Sequence, residues 1–431
     1  MVRFDTDLDP RGLPAALSAF TSIVPWGVWQ RRVENLRSGL SRNPVWERFL
    51  WDRHGLELAL ADVRQYQRAT ARWPWPPRSA EEYRLASFIG VVVRVHANLS
   101  KRGKARLAGA IRSALEKEAG LGPLAMEMKV IAHLMSRGFA ISFNDLENGG
   151  GFDFLAQRDG TEVEVECKHV SADIGRQIHR RKIYDLGGLL YPILLSAIDR
   201  SRVGRLVRVT LPGRLTGNKA QHDAIAKRIG MALVGSCDDD ASVCSVTVQE
   251  FDIIESIFNA ERGATLTFDD VGSYVSTAFG LEEANMLANW RPGHAALIVH
   301  FESLIPDRVL DGIFKRLKDD AKRQFSAGRP AFMCVHLADL KQEHLLELAR
   351  ADHAGTVTGI QRAISTLLHR RVHLHGVALM TDGGVRMEPG NRRTRSVQES
   401  GPSYVFSNPD HPDAHNPSLQ QMFGVATGSS A

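Results

Sequence analysis

The sequence predicts a mixed α/β (α+β) protein in which an αβββαβ core lies between a helical N-terminal region and a mixed α/β C-terminal region. Three observations point there. Residues 1–120 carry apolar residues at helical spacing, interrupted by prolines, the pattern of amphipathic helices. From residue 122 the chain changes to short alternating segments around Asp159-Gly160, a dipeptide that favours a two-residue hairpin turn. After residue 216, apolar runs at 295–301, 330–337 and 372–380 alternate with amphipathic stretches at 307–325, 342–351 and 357–368, as buried strands do between helices.

The first 75 residues hold six of the seven tryptophans, and Pro25, Pro44 and the stretch 71–79 divide them into helices. These rings are expected to fill a helical core; stacking on nucleic-acid bases is the other use of such residues. A helix over 80–97 and a second over 99–118, basic in its first half, complete this region. The core follows as a helix over 123–137 ended by Gly138, a strand over 139–144 and hairpin strands over 151–158 and 161–168. A long helix over 171–198, bent around Gly187, Gly188 and Pro192, and a strand over 206–211 close it. The length of 431 residues exceeds one ordinary core. The expected division is 1–120, 121–215 and 216–406, with a loosely ordered tail over 407–431 rich in Pro, Asn, Gly and Ser.

Charge is unevenly spread. Residues 1–120 hold 20 Lys/Arg against 12 Asp/Glu, 121–215 hold 13 against 11, and 216–431 hold 21 against 26. A basic first half suits a polyanionic partner, because neutralising phosphates releases counterions, and it equally suits a solvated helix surface. The opening MVRFDTDLDP lacks the basic and apolar regions of a secretory signal, and the longest apolar stretch, near 188–198, is too short for a bilayer. A cytoplasmic protein without a membrane partner is therefore expected. Cys167, Cys237, Cys244 and Cys334 are too few and scattered for a disulfide framework or a four-thiolate zinc site, and read as reduced thiols.

The segment GFDFLAQRDGTEVEVECKH carries the chemistry. With a tight turn at Asp159-Gly160, residues pair when their numbers sum to 319, which sets Asp153 across from Glu166. Phe154 with Val165, Ala156 with Val163 and Phe152 with Cys167 form the apolar face. On the other face the two carboxylates stand with Cβ atoms about 5 Å apart, a destabilising arrangement unless something compensates. A divalent cation is the natural compensation, and magnesium favours one or two protein carboxylates while keeping several waters. Lys168, on the same face roughly 7 Å further along, is placed to orient an attacking water and stabilise charge on phosphorus. Glu162 and Glu164 read as surface residues of an edge-blocking type.

In the preceding helix Glu127 falls within the apolar stripe of Leu124, Met128, Ile131, Leu134 and Met135. There it either meets a partner inside or reaches solvent at the stripe edge. After the hairpin, Arg176, Gln177, His179, Arg180, Arg181 and Lys182 either grip a nucleic-acid backbone or form the polar outer face of a helix.

Asp153, twelve intervening residues and then Glu166-Cys167-Lys168, within an αβββαβ order over residues 122–212, resemble the PD-(D/E)xK, or restriction-endonuclease-like, nuclease superfamily. The resemblance implies that Asp153 and Glu166 bind Mg2+ (or Mn2+), with the backbone carbonyl of Cys167 as a further ligand and Glu127 matching the helix glutamate of some members. It implies that Lys168 serves the nucleophile, and that Gln177 with Arg176, Arg180 and Arg181 contacts DNA. Phe152 stands where the fuller motif has proline. A DNA endonuclease, with a homodimer among the compatible assemblies, is the expectation. A catalytically silent domain that binds nucleic acid or protein is the alternative. His369, His373 and His375 would need a further ligand to hold zinc. The sequence offers no Gly-rich phosphate loop followed by Lys-Ser/Thr and no GxSxG nucleophile elbow, so no nucleotide cofactor is expected.

Overall fold

The computed structural model describes residues 4–7, 12–74, 77–171, 173–199, 201, 203–236, 242–252, 268–281, 285–291, 295–338, 340, 359–381, 384–387, 396–400 and 403–423. Strand β1 (Phe4–Asp7) precedes helices α1 (Leu13–Ile23), α2 (Trp26–Arg42), α3 (Glu47–Thr70), α4 (Ala80–Asn98), α5 (Lys101–Glu116) and α6 (Gly122–Ser136). Then come β2 (Ala140–Phe143), the short α7 (Asn144–Glu147), β3 (Phe154–Arg158), β4 (Thr161–Ser171), α8 (Arg180–Asp199) and β5 (Gly204–Leu211). The chain continues through α9 (Lys219–Leu233), β6 (Ser245–Phe251), α10 (Phe268–Phe279), β7 (Met286–Arg291), β8 (Ala295–Ser303), α11 (Val309–Arg323) and β9 (Ala331–Ala338). Last are α12 (Gly359–His369), β10 (Leu374–Thr381), β11 (Gly384–Met387), β12 (Ser396–Ser400), β13 (Ser403–Ser407) and α13 (Pro417–Gln421). The helix expected over 342–351 lies outside the described residues. Among the described residues no helix is long and apolar enough to cross a membrane.

The protein is mixed α/β. It divides into two compact units that are not consecutive segments: Met1–Asn35, Trp51–Ile174 and Val309–Ala431 make the first, and Leu36–Leu50 with Gly175–Arg308 the second. The first holds a six-stranded sheet of order β13-β10-β9-β4-β3-β2 and a small sheet β1-β12-β11; the second holds β6-β5-β8-β7. The strand expected to close the core, at 206–211, is thus in the wrong place: β5 pairs with β6 and β8 in the second unit. The strand beside β4 is β9, parallel to it with Glu166 level with Met333, and α11 precedes it. The αβββαβ order runs α6-β2-β3-β4-α11-β9, with residues 175–308 intervening in sequence. An apolar run tells that a strand is buried but not which partner it takes, and about a third of consecutive strands are not neighbours.

The first unit grows from its helices. Ser79 caps α4 by accepting the Glu82 amide at 3.2 Å, and Ser100 caps α5 by accepting the Gly103 amide at 3.1 Å, as first-turn donors require. Trp29 and Trp73 are buried in the core that these helices share with α6 and the sheet, so core packing accounts for them. Leu124, Met128, Ile131 and Leu134 of α6 lie in one cluster with Phe154, Ala156, Val163 and Val165. On the other sheet face Met333, Val335 and Leu337 of β9 cluster with Ile313 and Leu317 of α11 and Ile364 and Leu368 of α12. Strand alternation sends Glu164, Glu166 and Lys168 to this second face.

The segment after Ser407 is ordered through Phe423, contrary to the expectation of a loose tail; residues 424–431 lie outside the described residues. Leu419, Met422 and Phe423 are buried in the core, and the Phe423 ring lies 4.7 Å from that of Phe332. Asn408 donates to the carbonyls of Leu368 and Leu374 at 3.4 and 3.0 Å, and Asn416 caps α13. Polar composition was misleading because these side chains satisfy backbone groups in turns, as Asn does well.

Candidate active site

The β3–β4 hairpin forms as its sequence dictates. Asp159 and Gly160 both adopt left-handed backbone, φ 50° and 77°, as a type I′ turn requires. All five ladder pairs, from Arg158↔Thr161 to Phe154↔Val165, keep the register of numbers summing to 319. The segment after β13 secures the turn, Ser418 Oγ donating to Asp159 Oδ2 at 3.0 Å.

At the open end the regular ladder stops one residue short of Asp153. The Asp153 amide donates to the Val165 carbonyl at 3.1 Å, and its Oδ2 accepts the Cys167 amide at 2.7 Å. Asp153 is thereby folded onto β4, beside Glu166. Glu166 is only 3% exposed; one carboxylate oxygen is ion-paired with the Lys168 ammonium, and the other, Oε2, is buried without a hydrogen-bond partner. Burial, opposed by the Cys167 amide and by Lys168, lifts Asp153 from 3.8 to about 6. Burial and then the Asp153 charge lift Glu166 from 4.5 to about 7, with Lys168 acting against them. Both acids therefore sit where a proton, or a cation in its place, is favoured.

Glu127, from α6, is held well above the ordinary glutamate range by burial, then by the charges of Asp153, Asp145 and Glu166. Its residence on the apolar stripe thus has the inward outcome, within electrostatic reach of the hairpin acids. Asp145 was not singled out in the sequence. Its amide donates to the Asp153 carbonyl at 3.2 Å and its Oδ1 accepts the Gly150 amide at 3.2 Å. Gly149, Gly150 and Gly151, all at positive φ, turn the chain back so that this contact forms. The Asp-x-x-x-Gly-Gly-Gly spacing was the available signal.

Glu164 corrects a second expectation. It is fully buried rather than superficial, because β9 covers the edge that β4 was expected to expose. It accepts the Ser326 amide at 2.9 Å and the Ser326 hydroxyl, and Arg329 Nη1 stands 3.6 Å away. Glu162 is half-exposed and paired with Arg329 Nε at 2.9 Å.

The cationic residues expected to hold DNA lie in the second unit. Arg176 is buried with Nη1 3.5 Å from Asn285 Oδ1, and Arg180 is buried too, so neither presents a solvated guanidinium. The Gln177 amide donates to Asp307 at 2.6 Å, while the Gln177 and Arg181 side chains are half-buried. A long helix read as solvated on one face is instead covered there. His375 and His411 are both buried with rings 5.1 Å apart, whereas His369 is exposed near Asp410. Among the described residues no three His, Cys, Asp or Glu side chains already stand as a set of metal ligands. Comparison with protein-family models, with curated proteins and with solved structures finds no match for this chain.

Proposed function

We propose that the protein is a divalent-metal-dependent nuclease that hydrolyses DNA phosphodiester bonds. The observation that carries the reading is the meeting of Asp153, Glu166 and Lys168 at the open end of one hairpin, two acids of raised proton affinity beside an amine. The donor set suits Mg2+ or Mn2+: hard carboxylate oxygens, one of them buried without a partner, whose mutual repulsion a divalent cation would cancel. Asp153 and Glu166 would hold the ion together with the Cys167 carbonyl, and Glu127 would add negative charge from α6. Bound there, the ion would polarise the scissile phosphate and acidify water.

The chain's own groups do the rest. The Cys167 amide fixes the Asp153 carboxylate. Lys168, released from Glu166, orients the attacking water in line and offsets the charge that grows on the phosphate oxygens. The bond from phosphorus to the 3′ oxygen breaks, leaving a 5′-phosphate. Gln177 and Arg181 are the backbone contacts that this reading retains from the second unit.

The test uses the full chain with Mg2+ or Mn2+ on duplex, single-stranded and branched DNA and on RNA. Asp153→Asn and Lys168→Ala are each expected to lower cleavage by about 100-fold or more while circular dichroism stays unchanged. Cleavage equal in wild type and variants would mean a contaminant. Salt-sensitive binding that needs no metal and ignores Glu166→Gln, with no cleavage, would make the chain a binding module instead.

A further inference from the structure

A second site lies on the opposite face of β4, one residue beyond Lys168. A cavity of about 340 Å³ opens at the carboxyl ends of β4 and β9 and at the start of α6, and every residue lining it belongs to the first unit. Parallel sheets bind ligands at the carboxyl ends of their strands, and this volume falls within the range of small-molecule pockets. Three features of its wall define what it can take.

The first is an acceptor that lacks a donor. Glu57 is 1% exposed. Its Oε1 accepts the Leu121 amide at 3.3 Å and lies 3.3 Å from His54 Nδ1, but Oε2 is buried and has no partner. Such an atom costs stability until an N–H or O–H reaches it. The second is a pair of imidazoles. His169 and His336 occupy level positions on β4 and β9, with their Nδ1 atoms 3.1 Å apart, and Lys129 of α6 joins them in the wall. Together they form a basic wall suited to a phosphate. The third is apolar surface that includes Trp51 and Phe88, suited to a planar ring.

The acceptor and the imidazoles flank one short segment. A Cβ on Gly120 would collide with Glu57 Oε1, and one on Gly122 would stand 3.2 Å from His169 Cε1. Two residues span at most about 7 Å, so the two features are separated by the length of a small organic molecule rather than of a metal ion or a bare phosphate. We infer that the cavity binds a nucleotide unit whose base carries an amino group. The amino group donates to Glu57, the ring lies on the Trp51 and Phe88 surface, and the phosphate faces His169, His336 and Lys129. This does not rest on the nuclease reading, since His169 and Lys168 project from opposite faces of β4.

Isothermal titration of the full chain, without added metal, tests it with 5′-GMP, 5′-AMP, 5′-UMP, guanosine and inorganic phosphate. A 5′-phosphorylated oligonucleotide in a parallel arm tells a strand end from a free nucleotide as the source. Saturable binding of GMP or AMP, or of the oligonucleotide, with UMP and guanosine at least about 10-fold weaker, is expected. Glu57→Gln and His336→Ala should each weaken it by a similar factor. Because Glu57 also holds Leu121, His336→Ala at a half-buried position carries the test if the Glu57 variant does not fold. The proposal fails if no nucleotide or oligonucleotide saturates. It also fails if guanosine or UMP binds as well as GMP, or if His336→Ala binds like wild type.

Discussion

At the scale of single residues, the sheet face bearing Glu164, Glu166 and Lys168 shows two ways of keeping a carboxylate inside a protein. Glu164 has full compensation: two donors from Ser326 and the Arg329 guanidinium. Glu166, two residues on, has one ion pair and one bare oxygen. A fully satisfied buried acid is structural, because removing it strands its donors; an incompletely satisfied one is held in readiness for something else. Glu164→Ala should therefore lower unfolding stability by about 2–4 kcal/mol, since buried donors left unmade cost about 1–3 kcal/mol each. Glu164→Gln, which keeps an acceptor for Ser326, should lose about half as much. Urea denaturation of the three proteins measures this, and an alanine variant as stable as wild type would show that the Ser326 and Arg329 contacts carry no weight.

At the scale of elements, the hairpin converts a dipeptide into a site. Gly160 has φ 77° with open space around its Cβ position. Substitution there meets backbone strain alone, with no collision. Gly160→Ala is expected to cost about 1–2 kcal/mol, the penalty of left-handed backbone for an L-residue. It should also reduce metal-dependent cleavage, because the turn sets the register that brings Asp153 to Glu166. Denaturant midpoints that match wild type would mean that the turn does not specify the register. The turn, both strands and their pairing were legible in the sequence because they depend on contacts less than 20 residues apart. The path of the chain beyond β4 was not. The choice of β9 over β5 as its partner, and with it the burial of Glu164, depends on residues more than 160 positions away, and no local pattern encodes such a pairing. Asp145 was hidden for a related reason: its position depends on the three-glycine turn of the loop, which periodicity does not register.

At the scale of the whole molecule, the buried titratable groups give the stability a distinctive dependence on pH. Asp153 and Glu166 bind protons more tightly folded than unfolded, with values near 6 and 7 against 3.8 and 4.5. Their relative contribution is fully present below about pH 4 and is lost as the pH rises through 6 to 7, because the unfolded chain releases those protons first. His375 acts in the opposite sense. Burial lowers it from 6.5 to about 4, so its contribution is present above 6.5 and lost as the pH falls toward 4. The two slopes overlap in wild type, and Asp153→Asn combined with Glu166→Gln separates them. The double variant should match wild type near pH 4 and exceed it by a few kcal/mol at pH 8, since a tenfold change in proton affinity is worth about 1.4 kcal/mol and the two acids titrate as a pair. Magnesium should narrow that gap by raising the melting temperature of wild type at pH 8, with a smaller effect at pH 5 where protons compete for the same oxygens. It should leave the double variant unmoved. Differential scanning calorimetry at the two pH values, with and without the ion, reads all of these outcomes. Parallel pH profiles for wild type and variant would mean that the two carboxylates are not strained at all, and a magnesium effect surviving in the variant would locate the ion elsewhere on the chain.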